Sequence, residues 1–236
     1  GLAGCASAAS LAARGWQVKV LERHATPAAE ASGNPQGVLY LKLSAHGTAL
    51  SQMILSGFGY TRRLLETLQR GTDWDDCGVL QLAFNAKEAE RQAQLAEAFP
   101  EDLLQWLEQP EAQARAGVGV AHGGLYYPEG GWVHPPALCQ AQAAQPNIEL
   151  LNHCQALQLR KVDDQWQALD GERLLASAPV VVLAAPVIRD VAQSLKLSPK
   201  RFLMPLSHVS VLGGLMTLIG TSTNLLVNDM ARNAGQ

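Results

Sequence analysis

The first 22 residues combine a helix of small side chains with a short strand that ends in a glutamate. Leu2, Cys5 and Ala9 recur at helical spacing within GLAGCASAAS, and Gly15 is placed to end that helix. Trp16–Glu22 (WQVKVLE), in which Val18, Val20 and Leu21 are apolar, is typical of a short strand. Small side chains let a helix pack closely on a sheet, so this segment predicts an α/β fold.

Three residues of this segment match part of a dinucleotide-binding pattern. In that pattern, G-x-G-x-x-G brings the backbone close to a pyrophosphate at a helix N-terminus, and an acidic residue about 20 positions on binds a ribose. Gly1 and Gly4 fit the second and third glycines, and Glu22 fits the acidic residue. The first glycine and the strand before it are not in the sequence, so we expect a fragment whose cofactor binding is impaired. A small-residue helix packed on any sheet is the alternative.

Composition restricts the classes of protein to consider. Of 236 residues, 47% are hydrophobic and 17% are charged, which excludes a disordered chain. The net charge of −3 gives no support to a broadly basic nucleic-acid-binding surface. The four cysteines show no CxxC and no metal-ligand spacing, so we predict neither a metal site nor a disulfide scaffold.

Periodicity predicts alternating helices and strands over the rest of the first 184 residues. Turn residues between 24 and 37 predict a loop, and Val180–Leu183 (VVVL) predicts a buried parallel strand. The other predicted elements are a helix over Thr48–Arg70, a strand over Val79–Phe84, helices over Ala86–Ala98, Leu103–Leu107 and Pro136–Ala144, an aromatic hairpin over 123–136, and a meander of strands over Ile148–Leu175.

Three separated blocks add a family resemblance to this pattern. They are SGNPQGVLY at 32–40, CGVLQLAF at 77–84 and GGLYYPEGGWVHPPAL at 123–138. With the N-terminal segment, they resemble the D-amino-acid oxidase-like flavoproteins, and within these the C-terminal oxidoreductase domain of the bifunctional tRNA 5-methylaminomethyl-2-thiouridine biosynthesis enzymes. Residues 1–184 carry the resemblance. It implies an FAD-binding Rossmann-like domain without its first strand (about 1–70 and 177–184) and an α+β substrate part (about 71–176).

The resemblance implies a specific activity. Members of this family use FAD to remove, by oxidation, the carboxymethyl group of 5-carboxymethylaminomethyl-(2-thio)uridine at the wobble position of cytoplasmic tRNA. A methyltransferase domain, N-terminal to the oxidoreductase in that family, then methylates the exposed amine. The nearest alternative on the same fold is a glycine- or sarcosine-oxidase-like amine oxidase. No catalytic side chain is predicted, because the flavin supplies the redox chemistry.

The resemblance also assigns site residues by position. Gly1 and Gly4 are expected at the pyrophosphate and Glu22 at the adenosine ribose. An aromatic cluster is expected to accept a splayed-out base by stacking, although its residue types alone favour simple packing within a hairpin. The loop expected along the cofactor comprises Ser32, Gly33, Asn34, Gln36 and Gly37, and the aromatic cluster comprises Tyr126, Tyr127, Trp132 and His134.

The end of the chain has a different composition. No Lys, Arg, Asp or Glu occurs from Phe202 to Asn228, and the apolar stretch 202–220 approaches the ~20 residues that span a bilayer. Residues 187–236, with SPKRFLMPLS and LIGTSTNLLV, resemble the sodium-coupled sulfate/dicarboxylate symporters. This second resemblance implies a chimeric chain with a membrane-like helical tail, and a transporter fragment as the alternative from another functional class.

Overall fold

The structure, a computed structural model, describes residues 1–45 and 48–182. This part of the chain contains five α-helices and eleven β-strands. The helices are α1 (Leu2–Ala12), α2 (Ala49–Leu65), α3 (Ala86–Glu97), α4 (Gln109–Ala116) and α5 (Pro135–Ala143). The strands are β1 (Val18–Leu21), β2 (Gly37–Leu39), β3 (Trp74–Asp75), β4 (Val79–Leu82), β5 (Gln105–Leu107), β6 (Gly124–Tyr127), β7 (Gly131–Val133), β8 (Ile148–Leu151), β9 (Gln158–Val162), β10 (Gln165–Asp170) and β11 (Arg173–Ala178).

The chain divides into two compact units. Of the described residues, 1–35 and 135–182 form the first unit, and 36–45 and 48–134 form the second. These bounds do not coincide with the predicted cofactor and substrate parts. Residues 135–151 join the first unit because β8 pairs with β1 and α5 packs on α1.

The first unit contains the predicted small-residue helix and the strand that follows it. The predicted α1 helix is confirmed. It ends at Ala12 with Ala13 as its C-cap, so Gly15, which has a positive φ of 86°, lies one residue beyond the predicted stop position. The β1 strand pairs in parallel with β8, with Val18 opposite Ile148. The buried residues of α1, apart from Leu2, are Cys5 and alanines, which lets α1 lie close to α5. The predicted α/β arrangement is therefore present in this unit.

The first unit also carries the predicted meander. Strands β9, β10 and β11 form an antiparallel sheet in the order β11-β10-β9. The predicted strand Val180–Leu183 is wrong for its described residues: positions 180–182 are not in a strand, and Val180 and Val182 are more than half exposed. No strand of the described chain pairs with them, and an apolar run forms a sheet strand only where a partner strand lies beside it. Leu183 lies outside the described residues.

The second unit is built on two three-stranded antiparallel sheets, β2-β7-β3 and β4-β6-β5. The predicted hairpin over 123–136 is therefore wrong, because β6 and β7 belong to different sheets. The turn between them is closed by the Gly130 N–H, which donates to the Tyr127 carbonyl at 3.0 Å. Beyond the turn, Gly131 lies so close to β3 that a Cβ at this position would overlap the carbonyl oxygen of Asp75. A glycine is thus needed where the chain passes into the second sheet.

Short-range sequence signals, such as helix caps, account for where the helices of this unit begin. The α2 helix begins after Thr48, whose hydroxyl accepts a hydrogen bond from the Ser51 N–H at 3.2 Å, and it buries Ile54 and Phe58. It ends at Leu65, before the predicted end at Arg70. The predicted helix over Leu103–Leu107 is wrong, because residues 105–107 form β5 at the edge of β6. Pairing with β6 satisfies backbone groups that so short a helix would leave unpaired.

The predicted membrane-like tail, residues 187–236, lies outside the described residues. Within residues 1–45 and 48–182, none of the helices has the length and hydrophobicity required to cross a bilayer.

Candidate functional site

Three of the predicted cofactor residues come together at the start of α1. Gly1 is the N-cap residue of this helix, and the Leu2 N–H donates to the Ser32 hydroxyl oxygen at 3.1 Å. The backbone nitrogen of Gly1 lies 4.0 Å from Glu22 Oε2. Residues distant in sequence, Gly1, Glu22 and Ser32, therefore surround one helix N-terminus.

The start of α1 has the properties of an anion site. Its first turn contains no acidic side chain, and first-turn N–H groups have no acceptor within their own helix. The helix dipole adds partial positive charge at this end. A Cβ placed on Gly4 would meet no atom within 4 Å, so the space beside the first turn is open. By contrast, a Cβ on Gly1 would lie 2.9 Å from the Ser32 hydroxyl oxygen, so a larger residue at the helix cap would require the Ser32 side chain to move.

Backbone pairing fixes Glu22 next to this helix start. Its N–H donates to the Leu151 carbonyl at 2.9 Å, and its carbonyl accepts from the Cys154 N–H at 2.8 Å. Its Oε1 accepts from the His24 N–H at 3.0 Å, and the side chain is 14% exposed. A carboxylate accepts about four hydrogen bonds, so Glu22 retains capacity for hydroxyl groups of a ligand.

The loop that carries Ser32 is held by its own contacts. Glu30 forms an ion pair with Arg23, and its Oε1 lies 2.8 Å from His24 Nε2. The hydrogen bond to His24, with a further contribution from Arg23, holds the pKa of the Glu30 carboxyl below its usual value. The Gly33 N–H donates to the Glu30 carbonyl at 2.7 Å, and a Cβ on Gly33 would lie 2.8 Å from the Ala28 carbonyl oxygen. This turn is therefore compact enough to require Gly33.

The other loop residues are divided between the two units. Asn34 is exposed near the end of the first stretch of unit one. Gln36 and Gly37 belong to the second unit, where Gly37 begins β2 opposite Val133. The cofactor roles of these three residues remain predictions.

A pair of buried thiols lies between α1 and α5. Cys5 and Cys139 are both free and almost fully buried. The interaction between the two thiols lowers the pKa of the Cys5 thiol to about 7, whereas the same interaction, together with burial, raises the pKa of Cys139. The absence of CxxC spacing gave no sign of this pair, because 134 positions separate its two members and only the packing of the two helices joins them.

The four residues of the predicted aromatic cluster do not share one surface. Tyr126 and Tyr127 are adjacent in β6, so their side chains point to opposite faces. Trp132 lies in β7, in the other sheet, and the His134 N–H donates to the Asp73 carbonyl at 2.6 Å. Tyr126 lies against Gly78, and its ring centre is 5.0 Å from the guanidinium carbon of Arg115. A stacking role for these four residues remains a prediction.

Tyr127 does face a cavity inside the second unit. The ring of Tyr127 is 3% exposed and meets the ring of Tyr40 edge-on, with 5.7 Å between their centres. The cavity has a volume of about 150 Å³. Its lining residues are Tyr40, Leu41, Lys42, Leu43, Gln81, Arg91, Leu95 and Tyr127.

No pattern in the sequence predicted a binding cavity at these residues. One signal was available, since Lys42 is the single charged residue in the otherwise apolar run 37–43 (GVLYLKL).

Residues 1–212 match the family described as FAD dependent oxidoreductase (DAO). The chain belongs to this family. Its membership confirms the prediction of an FAD-dependent oxidoreductase and of FAD as the cofactor. The open helix start beside Gly4, the glycine cap at Gly1 and the carboxylate of Glu22 fit the pyrophosphate and ribose of that cofactor.

Several curated proteins are similar to this chain over most of its length. The tRNA 5-methylaminomethyl-2-thiouridine biosynthesis bifunctional protein MnmC of Pseudomonas fluorescens (strain Pf0-1) is 81% identical over 202 residues, which are 85% of this chain and 31% of that protein. The protein of the same name from Pseudomonas entomophila (strain L48) is 76% identical over 184 residues, 78% of this chain and 28% of that protein. The chain thus spans about a third of the length of these relatives.

Solved flavoprotein structures share the fold. NikD, an amino acid oxidase of nikkomycin biosynthesis, superposes with a TM-score of 0.60 at 23% identity, covering 83% of this chain and 52% of that chain. The glycine oxidase of Geobacillus kaustophilus gives a TM-score of 0.58 at 23% identity, covering 71% of this chain and 48% of that chain. These similarities confirm the mixed α/β flavoprotein fold.

The family match also bears on the end of the chain. It continues to residue 212 and therefore includes residues 187–212, which the sequence analysis assigned to a transporter-like tail. None of the comparisons reported above supports a symporter segment.

Replacing Ser32 with alanine should lower the free energy of unfolding by about 1 kcal/mol, as the loss of a helix-capping hydroxyl usually does. The Leu2 N–H would lose its acceptor at the start of α1. Urea denaturation followed by circular dichroism measures this change. Ser177→Ala is the control, because Ser177 is exposed on β11; a Ser32 variant as stable as this control would show that the cap contributes nothing.

Proposed function

We propose that this chain is the oxidoreductase part of a bifunctional tRNA-modifying protein, and that it removes the carboxymethyl group of 5-carboxymethylaminomethyl-(2-thio)uridine. The observation that carries the proposal is 81% identity over 202 residues to a protein named for tRNA 5-methylaminomethyl-2-thiouridine biosynthesis. Similarity this high, over 85% of the chain, favours a shared substrate as well as a shared fold.

The residues at the start of α1 would bind the cofactor rather than take part in the chemistry. Bound FAD would supply the hydride acceptor for the amine-bearing carbon of the carboxymethyl group. Helix α1 would hold the pyrophosphate through its first-turn N–H groups, and the open space at Gly4 would admit it. Glu22 would accept hydrogen bonds from the adenosine ribose, and Ser32 would keep the helix start in place.

Conservation of atoms and electrons in this oxidation determines its products. Removal of a hydride from the N–CH₂–COO⁻ carbon leaves an imine of the substrate, and addition of water releases the free 5-aminomethyl group and glyoxylate. The proposed partner of this activity is a methyltransferase domain of the same parent protein, which consumes the free amine. Such a tRNA substrate would place the reaction in the cytoplasm.

We also propose that the flavoprotein sequence continues through residue 212, as the extent of the family match supports. For residues 213–236 the symporter resemblance remains a prediction from the sequence.

A direct assay tests the proposed reaction. The chain is incubated with FAD and tRNA that carries 5-carboxymethylaminomethyl-2-thiouridine, and the nucleosides are separated by liquid chromatography and identified by mass. We expect conversion to the 5-aminomethyl nucleoside with an equal amount of glyoxylate. Glycine and sarcosine serve as alternative substrates in parallel reactions. Turnover of either amino acid, with the tRNA unchanged, would replace this proposal by an amine oxidase.

A further inference from the structure

The cavity of the second unit combines two cationic side chains with the amide group of Gln81. Lys42 and Arg91 line it, and no Asp or Glu is among its lining residues. We propose that this cavity binds a phosphate group of the RNA backbone. This inference rests on the proposed function, because that function supplies an RNA ligand, and it adds a place on the chain where the RNA is held.

The position of Arg91 is fixed by a chain of hydrogen bonds that ends on β6. Its Nε donates to Glu88 Oε2 at 2.8 Å, and its Nη2 donates to Glu88 Oε1 at 2.6 Å. Glu88 Oε1 also accepts from Gln92 Nε2 at 3.0 Å, and Gln92 Oε1 accepts from the buried Leu125 N–H at 3.1 Å. Arg91 is thereby held in one orientation, and its Nη1 group is left for a ligand.

Lys42 contributes the charge that is not offset. Glu88 compensates part of the charge of Arg91, whereas within residues 1–45 and 48–182 no carboxylate forms an ion pair with Lys42. Lys42 is exposed, so water solvates its ammonium group in the absence of a ligand, and a bound anion would replace part of that water. Arginine and lysine are the side chains with which proteins most often bind phosphate groups.

Neutral groups complete the cavity. The Tyr127 hydroxyl donates to Gln81 Oε1 at 3.4 Å, and burial raises the pKa of Tyr127, so the phenol remains protonated. The side-chain amide nitrogen of Gln81 can donate further hydrogen bonds to a ligand in the cavity. Leu41, Leu43 and Leu95 form the apolar remainder. Because the hydroxyl proton of Tyr127 is directed to Gln81, the two cations and the amide nitrogen of Gln81 are the groups left to donate to the oxygen atoms of a phosphate.

The volume of the cavity allows a phosphate group to enter. On the measure used for cavities, one water molecule requires about 10–15 Å³, so a volume of about 150 Å³ has room for a phosphate and several waters. We assign the cavity to one phosphodiester of the RNA chain because of its two cationic side chains.

The experiment measures RNA affinity against salt concentration for the full chain and its variants. Unmodified tRNA transcript is labelled, and binding is followed by fluorescence anisotropy from 50 to 200 mM salt. Lys42→Gln should weaken binding roughly fivefold and reduce the slope of log affinity against log salt by about 1. Arg91→Gln should have a similar effect, and Lys42→Arg should restore most of the affinity.

The matched control is Lys87→Gln, which removes one charge from an exposed position in the first turn of α3, outside the cavity. If Lys87→Gln weakens binding as much as Lys42→Gln, the RNA is attracted by the overall positive charge of the surface and not by the cavity. The inference is then wrong. Inorganic phosphate is titrated into the chain by calorimetry as a second arm. Binding of phosphate that depends on Lys42, with RNA affinity independent of Lys42, would assign the cavity to a free anion and overturn the RNA assignment.

The outcome is separate from that of the oxidation assay. Binding of unmodified RNA requires neither flavin nor turnover, so a chain that binds RNA through Lys42 without oxidising it would refute only the proposed reaction. A chain that oxidises the tRNA nucleoside, with the same salt slope in Lys42→Gln as in the unchanged protein, would refute only the cavity assignment.

Discussion

Replacing Glu22 with alanine should weaken FAD binding about 100-fold. A hydrogen bond to a charged acceptor contributes about 1.5–3 kcal/mol, and two ribose hydroxyls bonded to one carboxylate amount to about 3 kcal/mol, or two orders of magnitude in affinity. Glu22 is suited to this role because its side chain is only 14% exposed and lies 4.0 Å from the nitrogen of Gly1. Titration of the chain with FAD, followed by the quenching of flavin fluorescence, measures the dissociation constant.

Glu149→Ala is the matched control for this variant. Glu149 lies on β8, beside β1, and its side chain is 56% exposed in a surface ion pair with Lys19. Such a pair contributes little, and no cofactor contact is assigned to it. Glu22→Gln should fall between the two, because an amide keeps one acceptor but loses the charge. Equal affinity of the Glu22 and Glu149 variants would show that the ribose is bound elsewhere.

Replacing Gly131 with alanine should destabilise the second unit by at least about 3 kcal/mol, a loss typical of severe steric overlap. The added methyl group would overlap the carbonyl oxygen of Asp75, which belongs to the backbone of the neighbouring strand and cannot rotate away. Because β7 is the central strand of the β2-β7-β3 sheet, moving it away from β3 would also disturb its pairing with β2. Thermal unfolding followed by circular dichroism measures the effect.

Gly119→Ala provides the comparison. A Cβ at Gly119 would meet no atom within 4 Å, and this glycine does not have a positive φ. The same chemical change should therefore alter stability by less than about 0.5 kcal/mol at this position. A Gly131 variant with the stability of the Gly119 variant would contradict the close approach of β7 to β3.

The sequence predicted the elements that depend on short-range signals. The spacing of small residues predicted α1, and the run WQVKVLE predicted β1. These two predictions are confirmed, because helix periodicity and a short strand are both set by residues close together in the sequence. The glycine and acidic positions identified Gly1 and Glu22 as cofactor residues, and this assignment remains a prediction. The three separated blocks added the flavoprotein family, which the family match confirmed.

Long-range pairing decided the features that the sequence analysis missed. Residues 105–107 became a strand because β6 lies beside them, and the aromatic block was divided because β6 and β7 pair with different partners. The positions 180–182 were predicted as a strand from their composition, but in the described chain they have no neighbouring strand.

The site itself shows the same division. From the sequence alone, Gly1, Gly4 and Glu22 were predicted as cofactor residues, because their spacing is a property of one helix and one strand. Only the tertiary structure placed the Ser32 hydroxyl on the Leu2 N–H, joined Cys5 to Cys139, and gathered Lys42, Gln81 and Arg91 around one cavity. The physical reason is that side chains tens of residues apart meet only after strands and helices have packed, and no local pattern records which partner each of them will find.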